Sequence, residues 1–225
     1  MAKETLKSAS TTVKRAPKRG TYDATTIHQI LDNAYLGHIG FVANGQPFVI
    51  PTLYGRLEDS LYLHGATTSR LIQEMIKAPI CLTVSLIDGL VLARSAFHHS
   101  MNYRSVVLLG QPTLVETVEE KELGLKVISD HLIPNRWEEV RAPNAKELKA
   151  TSVLKLLLTE GSAKIRTGDP VDDKVDYDLD IWAGQIPLQR IATAPVADAL
   201  LKPNIALSPS VQAYVERHSI RKEKK

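Results

Sequence analysis

The chain has 225 residues, of which 44% are apolar and 24% are charged, and it contains one cysteine. This length suits one domain with appendages, and the apolar share is enough for a sizeable core. Apolar runs stay below the roughly 18–20 residues of a membrane span, so we expect no membrane partner. A single cysteine excludes a disulfide framework and a cysteine-rich zinc site, and it favours a reducing, cytoplasmic location.

The net charge of +3 is unevenly distributed along the chain. Residues 1–20 sum to +5 and residues 217–225 to +4, so the body between them carries −6. An acidic body argues against nucleic acid as a main partner. Residues 1–20 are polar, basic and without periodicity, which predicts a disordered tail. We therefore expect a folded domain over residues 21–190 and a C-terminal extension over residues 191–225 with one helix and a basic tail.

The first half of the folded domain alternates between helical and strand patterns. Asp23 caps a segment whose apolar residues recur at helical spacing. Asn44-Gly45 lies between two apolar runs and is a strong hairpin signal. The predicted elements are a helix after residue 23, strands over residues 36–43, 48–56 and 61–64, and a helix that opens near residue 68 and ends before residue 79.

The second half contains further strands and two capped helices. Asp88-Gly89 predicts a hairpin between strands over residues 80–87 and 90–95. A capping box at Thr117 opens one helix, and Ser208-Pro209 opens the last. Additional strands are predicted over residues 103–115, 153–158 and 163–166. The whole pattern predicts a mainly β, α+β fold: a closed or partly closed β-barrel of about six to eight strands with peripheral helices.

The segment from Leu61 to Met75 has the pattern of a phosphate site. A short strand leads through a hydroxyl-rich loop into a helix whose first turn carries Ser69 and Arg70. The free N–H groups and the dipole at a helix N-terminus attract anions, whereas a cation there is unfavourable unless an anion offsets it. We therefore expect a phosphorylated small molecule here; the alternative is an arginine that is simply solvated.

Three segments, taken in order, resemble the FMN-binding split-barrel proteins, the pyridoxamine 5′-phosphate oxidase-like group. They are Gly45–Thr52, Leu61–Arg70 and Asn102–Gly110, and the resemblance spans residues from about 22 to 166. Trp182–Leu188 is similar to the Trp-Ala-Gly-x-x-Pro-Leu segment of the branch that includes 5-nitroimidazole reductases. The resemblance implies an FMN-binding split β-barrel, and a homodimer with FMN bound between the two barrels.

The resemblance also implies a set of flavin-binding residues. Ser69 and Arg70 would hold the FMN phosphate, in agreement with the anion site. Main-chain groups of Pro51, Thr52 and Leu53 would run beside the ribityl chain and the ring. Ser105 stands where the oxidases have a flavin-contacting glutamine, and Trp182 would come from the partner subunit. Residues 49–54 lack the arginine and lysine of the oxidases proper. Pyridoxamine-phosphate oxidation is therefore not expected.

His64 is the one side chain that we nominate for a catalytic role. In the nitroimidazole-reductase branch a histidine at this place lies beside the flavin, so His64 is interpreted as a flavin neighbour that contacts the substrate. The alternative is a strand-end histidine that bonds a backbone group. His98 and His99 do not predict a metal site, because no carboxylate stands at a characteristic spacing.

The leading functional hypothesis is an FMN-dependent oxidoreductase. It would pass electrons from a reduced donor such as NAD(P)H to a small-molecule acceptor, with the flavin carrying the redox chemistry. Two alternatives stay open. One is a flavin carrier or sensor without turnover, and the other is a haem-binding protein on the same barrel.

Overall fold

The computed structural model describes residues 4–219. Within this range the strands are β1 (Gly20–Thr21), β2 (Leu36–Ala43), β3 (Gln46–Leu53), β4 (Gly55–Leu57), β5 (Ser60–Ala66), β6 (Ile80–Leu92), β7 (Ser100–Gly110), β8 (Thr113–Leu114), β9 (Thr151–Leu157), β10 (Glu160–Arg166) and β11 (Gly184–Pro187). The α-helices are α1 (Ala24–Asp32), α2 (Arg70–Met75), α3 (Val118–Leu132), α4 (Ala145–Ala150) and α5 (Pro209–His218).

The strands form two sheets in which every pair is antiparallel. The larger sheet has the order β1-β10-β7-β6-β2-β3, with β11 paired to β6 beyond the end of β2. The smaller sheet has the order β4-β5-β9-β8. Seven strands have seven residues or more, and the other four are short edge or bridging pieces. The mainly β fold with peripheral helices is therefore confirmed.

One apolar core fills the space between the two sheets. Alternate residues of each strand point into it, such as Ile39 and Phe41 of β2 and Leu61 and Leu63 of β5. Helix α1 closes one end of this core with the side chains of its apolar stripe: Ala24, Ile27, Ile30 and Leu31. Full burial of a leucine or isoleucine contributes about 1.5–3 kcal/mol, so this shared core is what joins the sheets.

Helix α3 covers the other face of the smaller sheet. Tyr62 and Val153, which face away from the shared core, pack with Ile128 in a second apolar cluster. The helix approaches β4 so closely that a Cβ atom on Gly55 would lie 2.6 Å from the carbonyl oxygen of Val127. At 15 residues α3 is the longest helix, and no helix in the described range is long and apolar enough to cross a membrane.

The prediction of a disordered tail over residues 1–20 is wrong for the part that the structure describes. Leu6 is buried, its N–H donates to Tyr22 O at 2.9 Å, and its carbonyl accepts from Gly161 N at 2.9 Å. The backbone N–H of Val13 donates to the Tyr22 hydroxyl at 2.8 Å. A single apolar anchor among basic residues creates no periodicity, so the pattern could not reveal this packing. Residues 1–3 lie outside the described range.

The predicted hairpin at Asp88-Gly89 is also wrong. Strand β6 runs unbroken through both residues, with a register shift against β7 between Ile87 and Gly89. Strand β11 pairs with this half of β6, and a Cβ on Gly89 would lie 3.0 Å from the carbonyl oxygen of Ile186. Glycine therefore serves a close backbone approach at a bulge instead of a turn. Residues 220–225, the end of the expected C-terminal extension, lie outside the described range.

Candidate functional site

The predicted phosphate loop forms at the end of β5. Ser69 occupies the N-cap of α2 with extended backbone angles, and its side chain makes no capping hydrogen bond. The loop is fixed by two backbone bonds, from Thr67 N to Ala150 O at 3.0 Å and from Ser69 N to Ala66 O at 2.8 Å. The Ser69 hydroxyl and the first-turn N–H groups of α2 are therefore left available to an outside acceptor.

Arg70 presents an unpaired positive charge beside this loop. Its guanidinium lies over the ring of Phe48, 4.2 Å from the ring centroid, and it makes no ion pair with any residue from 4 to 219. Phe48 belongs to β3, so Arg70 lies against the strand that carries three other predicted residues. A cation–π contact leaves the guanidinium edges free to donate to an anion.

Pro51, Thr52 and Leu53 end the edge strand β3. Within the described residues β3 pairs with β2 along one side only, so its other side presents free backbone groups. Pro51 is exposed, whereas Thr52 and Leu53 are half-buried. The structure thus brings these residues and Arg70 to the same edge strand. Phe48, which Arg70 contacts, lies about 10 Å along the strand from Pro51.

His64 lies on the α3 side of the smaller sheet. It stands opposite Val153 in the β5–β9 register, on the strand face of Tyr62, and Leu53 packs against the same apolar cluster. Its Nδ1 atom is buried and has no hydrogen-bond partner. Burial lowers the pKa of His64 below the ordinary 6.5, so its imidazole is neutral at pH 7. The alternative of a histidine bonded to the backbone is therefore not what the structure shows.

The structure does not bring Ser105 and Trp182 to this edge within one chain. Ser105 lies on β7, three strands from β3 and thus about 14 Å away, and its hydroxyl donates to Lys164 O at 3.3 Å. Trp182 is 66% exposed and precedes β11, which pairs with the far half of β6. Their predicted contacts with the flavin stay predictions.

The imidazoles of five of the seven histidines contact another group of the protein. His28 contacts Asp59, His98 contacts Asp173, and the other three bond backbone groups: His99, His131 and His218. His38 and His64 have none in the described part of the chain. His38 is exposed on the outward face of β2, whereas His64 is half-buried. His28 Nε2 is also buried without a hydrogen bond, but it lies 3.5 Å from Asp59 Oδ1. Among the described residues His64 is therefore the one half-buried imidazole with neither a hydrogen bond nor an acidic contact.

The region around His98 contains carboxylates that sequence spacing could not reveal. His98 Nε2 lies 3.5 Å from Asp173 Oδ2, and Asp176 is close to both. The acidic segment reaches this loop because the buried carboxylate of Asp172 accepts hydrogen bonds from the backbone N–H groups of Arg94 and Ser95, at 3.0 and 3.3 Å. Asp173 is well exposed, so an ordinary surface ion pair accounts for its contact with His98.

Stability should fall below pH 6.5 because of three half-buried histidines. Burial lowers the pKa values of His28, His64 and His131, so they are neutral in the folded state and protonate near pH 6.5 once unfolded. The unfolded state then binds more protons, and the free energy of unfolding decreases as the pH falls through the folded-state values.

Urea unfolding at pH 7.5 and 5.5 measures this effect. We expect a lower midpoint at pH 5.5 with an unchanged slope, and a smaller difference in His131→Gln. The amide of the glutamine still allows donation to Ala34 O, which accepts from His131 Nε2 at 2.7 Å in the neutral tautomer. Equal midpoints at both pH values would contradict the prediction. Carboxyl groups with lowered pKa values, such as Glu139, act only below about pH 4.5.

Two antiparallel sheets around one core, with a polar loop and a free arginine at the edge of β3, define a split-barrel protein. A family model described as pyridoxamine 5′-phosphate oxidase matches residues 23–165, and the chain belongs to this family. This confirms the resemblance found in the sequence and nearly the same span of residues. No curated protein sequence matches the chain.

Two solved structures are similar over most of the chain. One is the flavocytochrome Anf3 from Azotobacter vinelandii, with 42% identity over 92% of this chain and 97% of that chain and a TM-score of 0.88. The other is described as the FAD and heme binding protein from Mycobacterium smegmatis, with 32% identity over 87% of this chain and 97% of that chain and a TM-score of 0.83.

A third structure shares the fold. It comes from Bacteroides thetaiotaomicron and is described as a 5-nitroimidazole antibiotic resistance protein. It is 24% identical over 65% of this chain and 86% of that chain, with a TM-score of 0.56. The first two structures are therefore more similar to this chain than the 5-nitroimidazole resistance protein, whose branch the sequence motifs suggested.

Proposed function

We propose that this protein is a flavocytochrome, which binds a flavin and a haem and transfers electrons between them. The observation that carries the proposal is its similarity, along nearly its whole length, to the Anf3 flavocytochrome. The FAD and heme binding protein, which is also similar over most of its length, supports the same pair of cofactors. The proposal thus adds a haem to the flavin of the oxidoreductase expected from the sequence.

The residues at the edge of β3 fit a flavin. Arg70 has no anionic partner and Ser69 has an uncommitted hydroxyl, which together suit a phosphate group. Main-chain groups of Thr52 and Leu53 lie at the same free edge and suit the polar rim of a ring system. We propose FAD in place of FMN, on the name of the mycobacterial relative. When bound, the flavin would supply one- and two-electron chemistry.

The surroundings of His64 fit a haem. Haem iron in proteins is commonly held by a neutral histidine, and His64 is a neutral, half-buried imidazole whose buried Nδ1 atom has no partner. Tyr62, Val153 and Leu53 provide apolar surface around it. We propose that His64 is the axial ligand, and this replaces its interpretation as a substrate contact. The low pKa would keep the imidazole available for the iron across neutral pH.

We also propose that the protein is a homodimer. Ser105 lies three strands from the β3 edge and Trp182 precedes β11 on the far half of β6, so neither residue lies at the edge that carries Arg70. A second subunit that faces the first would allow both sets of residues to contact one cofactor. The full electron-transfer path, from a donor such as NAD(P)H to a small acceptor, belongs to the same proposal.

The visible spectrum of the purified protein tests the cofactors. We expect a Soret band together with flavin absorbance, and release of FAD on denaturation, which chromatography can distinguish from FMN. Anaerobic NADH or NADPH should bleach the flavin and shift the haem bands to their reduced positions. Flavin without a Soret band would refute the flavocytochrome, and loss of both would refute cofactor binding. Cofactors that no donor reduces would favour a carrier or sensor without turnover.

A further inference from the structure

Residues 190–207, which we call the arm, cross the surface without regular secondary structure. Few backbone bonds hold them: Ala192 N donates to His218 O and Leu201 N to Asp198 O, each at 3.0 Å. Several large apolar side chains of the arm are exposed, with Val196 at 95% and Leu200 at 89%. In one chain by itself, the arm therefore presents apolar groups to water.

The composition of the arm is that of an interface and not of a solvated linker. The 18 residues of the arm include three charged ones, Arg190 at its start, Asp198 and Lys202, and the others are mostly alanine, leucine, isoleucine, valine and proline. Segments that remain disordered in water are rich in charge and poor in such apolar residues. Buried centres of protein interfaces are depleted in charge. The arm is thus suited to cover an apolar surface.

The total surface of the chain supports the same conclusion. It exposes 14906 Å², whereas a compact monomer of 24.8 kDa exposes about 10,200 Å² by the usual scaling. The difference is about 4,700 Å², and the nine residues outside the described range account for at most about 1,600 Å² of it by the scaling for an unfolded chain. Each protomer of a large obligate dimer buries on the order of 1,000–2,500 Å². The excess is enough for such an interface.

The larger sheet offers a matching apolar face. Its outward side exposes side chains from four strands, β2, β3, β6 and β7: Leu36, Val42, Val49, Ile87 and Met101. The arm begins at the margin of this sheet, where Leu188 N donates to Asp88 O at 3.0 Å and Arg190 donates to Asn33 O at 2.9 Å. At its far end the chain is bonded again to its own domain, where Arg136 Nη1 donates to Ser208 Oγ at 2.8 Å. Between these two points the large apolar side chains of the arm are exposed.

We propose that the arm lies across the outward face of the larger sheet of a second copy of this chain. The arm of each subunit then covers the sheet of the other around a two-fold axis, which is the commonest symmetry of homodimers. A second copy supplies both surfaces in equal number, and the area of each is what a stable dimer needs. This inference rests on the homodimer proposed above and adds the segment that closes it.

The double variant Val196→Asp/Leu200→Asp tests the arm. Two carboxylates at the proposed interface should raise the dimer dissociation constant at least tenfold, measured by sedimentation equilibrium. The matched control is Val118→Asp/Leu123→Asp, which makes the same exchanges at exposed positions of α3 and should leave association unchanged. Hydrogen exchange followed by mass spectrometry should show protection of residues 191–207 that increases with protein concentration.

The outcomes separate the arm from the cofactor proposal. Unchanged dimerisation of the double variant, or arm amides that exchange like an unprotected chain at every concentration, would overturn the inference even if both cofactors are present. A wild-type protein that is monomeric throughout would also overturn it. A protein that dimerises through a protected arm but has no Soret or flavin band would support the arm and refute the proposed flavocytochrome.

Discussion

Replacing His64 by alanine is expected to remove the haem and leave the flavin in place. The variant loses the imidazole that we assign to the iron, whereas the edge of β3 and the α2 loop are untouched. We expect the ratio of Soret to protein absorbance to fall at least tenfold, with an unchanged flavin content. Added imidazole should restore part of the Soret band, because it can occupy the space and coordinate the iron.

Two other variants define the control. His38 is the second histidine without a partner in the described range, but it lies on the larger sheet, outside the apolar cluster beside His64, so His38→Ala should keep both cofactors. Arg70→Ala removes the free guanidinium beside the loop and should weaken flavin retention by about 1–3 kcal/mol while sparing the haem. If His38→Ala loses the Soret band and His64→Ala keeps it, the assignment of the ligand to His64 is wrong.

Gly55→Ala should destabilise the protein by about 3 kcal/mol, at the upper end of the cost of overpacking. The added methyl group would lie 2.6 Å from Val127 O and 2.7 Å from Ile128 N, and both are backbone atoms of α3 that cannot rotate away. The helix would have to move off the smaller sheet and separate the cluster that contains Tyr62. For a chain of this size the melting temperature should drop by about 6–12 °C.

Gly40→Ala is a matched control for this prediction. It is also a glycine in a strand, but its added Cβ would meet its nearest atom, Cys81 O, at 3.6 Å, which is an ordinary contact. We expect a change of less than about 0.5 kcal/mol, since the site has room. Thermal unfolding of both variants, followed by circular dichroism, measures the difference. Equal melting temperatures would mean that α3 can shift at little cost.

Local signals predicted much of this fold correctly. The Asp23 cap, the Asn44-Gly45 turn and the Thr117 cap each act within a few residues, and all three form as expected: Asp23 accepts from Thr26 N at 2.7 Å and Thr117 from Glu120 N at 3.2 Å. The α2 loop was likewise visible because its strand, cap and arginine are contiguous. Such features depend on short-range geometry that a single sequence contains.

The errors have a common physical cause, which is pairing between distant residues. Gly89 looks like a turn residue, but its small size serves contact with Ile186, almost a hundred residues later. Leu6 looks like part of a basic tail, but it binds Gly161. The lack of a hydrogen-bond partner for His64 Nδ1 depends on which groups α3 and β9 place near it. The sequence could therefore identify His64 as a candidate but could not predict its environment.

The pairing of β11 with β6 also sets an order of events during biosynthesis. All strands of the two sheets except β11 are complete at Arg166, so the barrel can fold before the C-terminal segment has left the ribosome. Until then the far half of β6 has a free edge beside an apolar face. Docking of β11 covers that edge and at the same time positions the chain that follows it. In the proposed homodimer, a newly made subunit would therefore present its arm to a partner only after its own fold is finished.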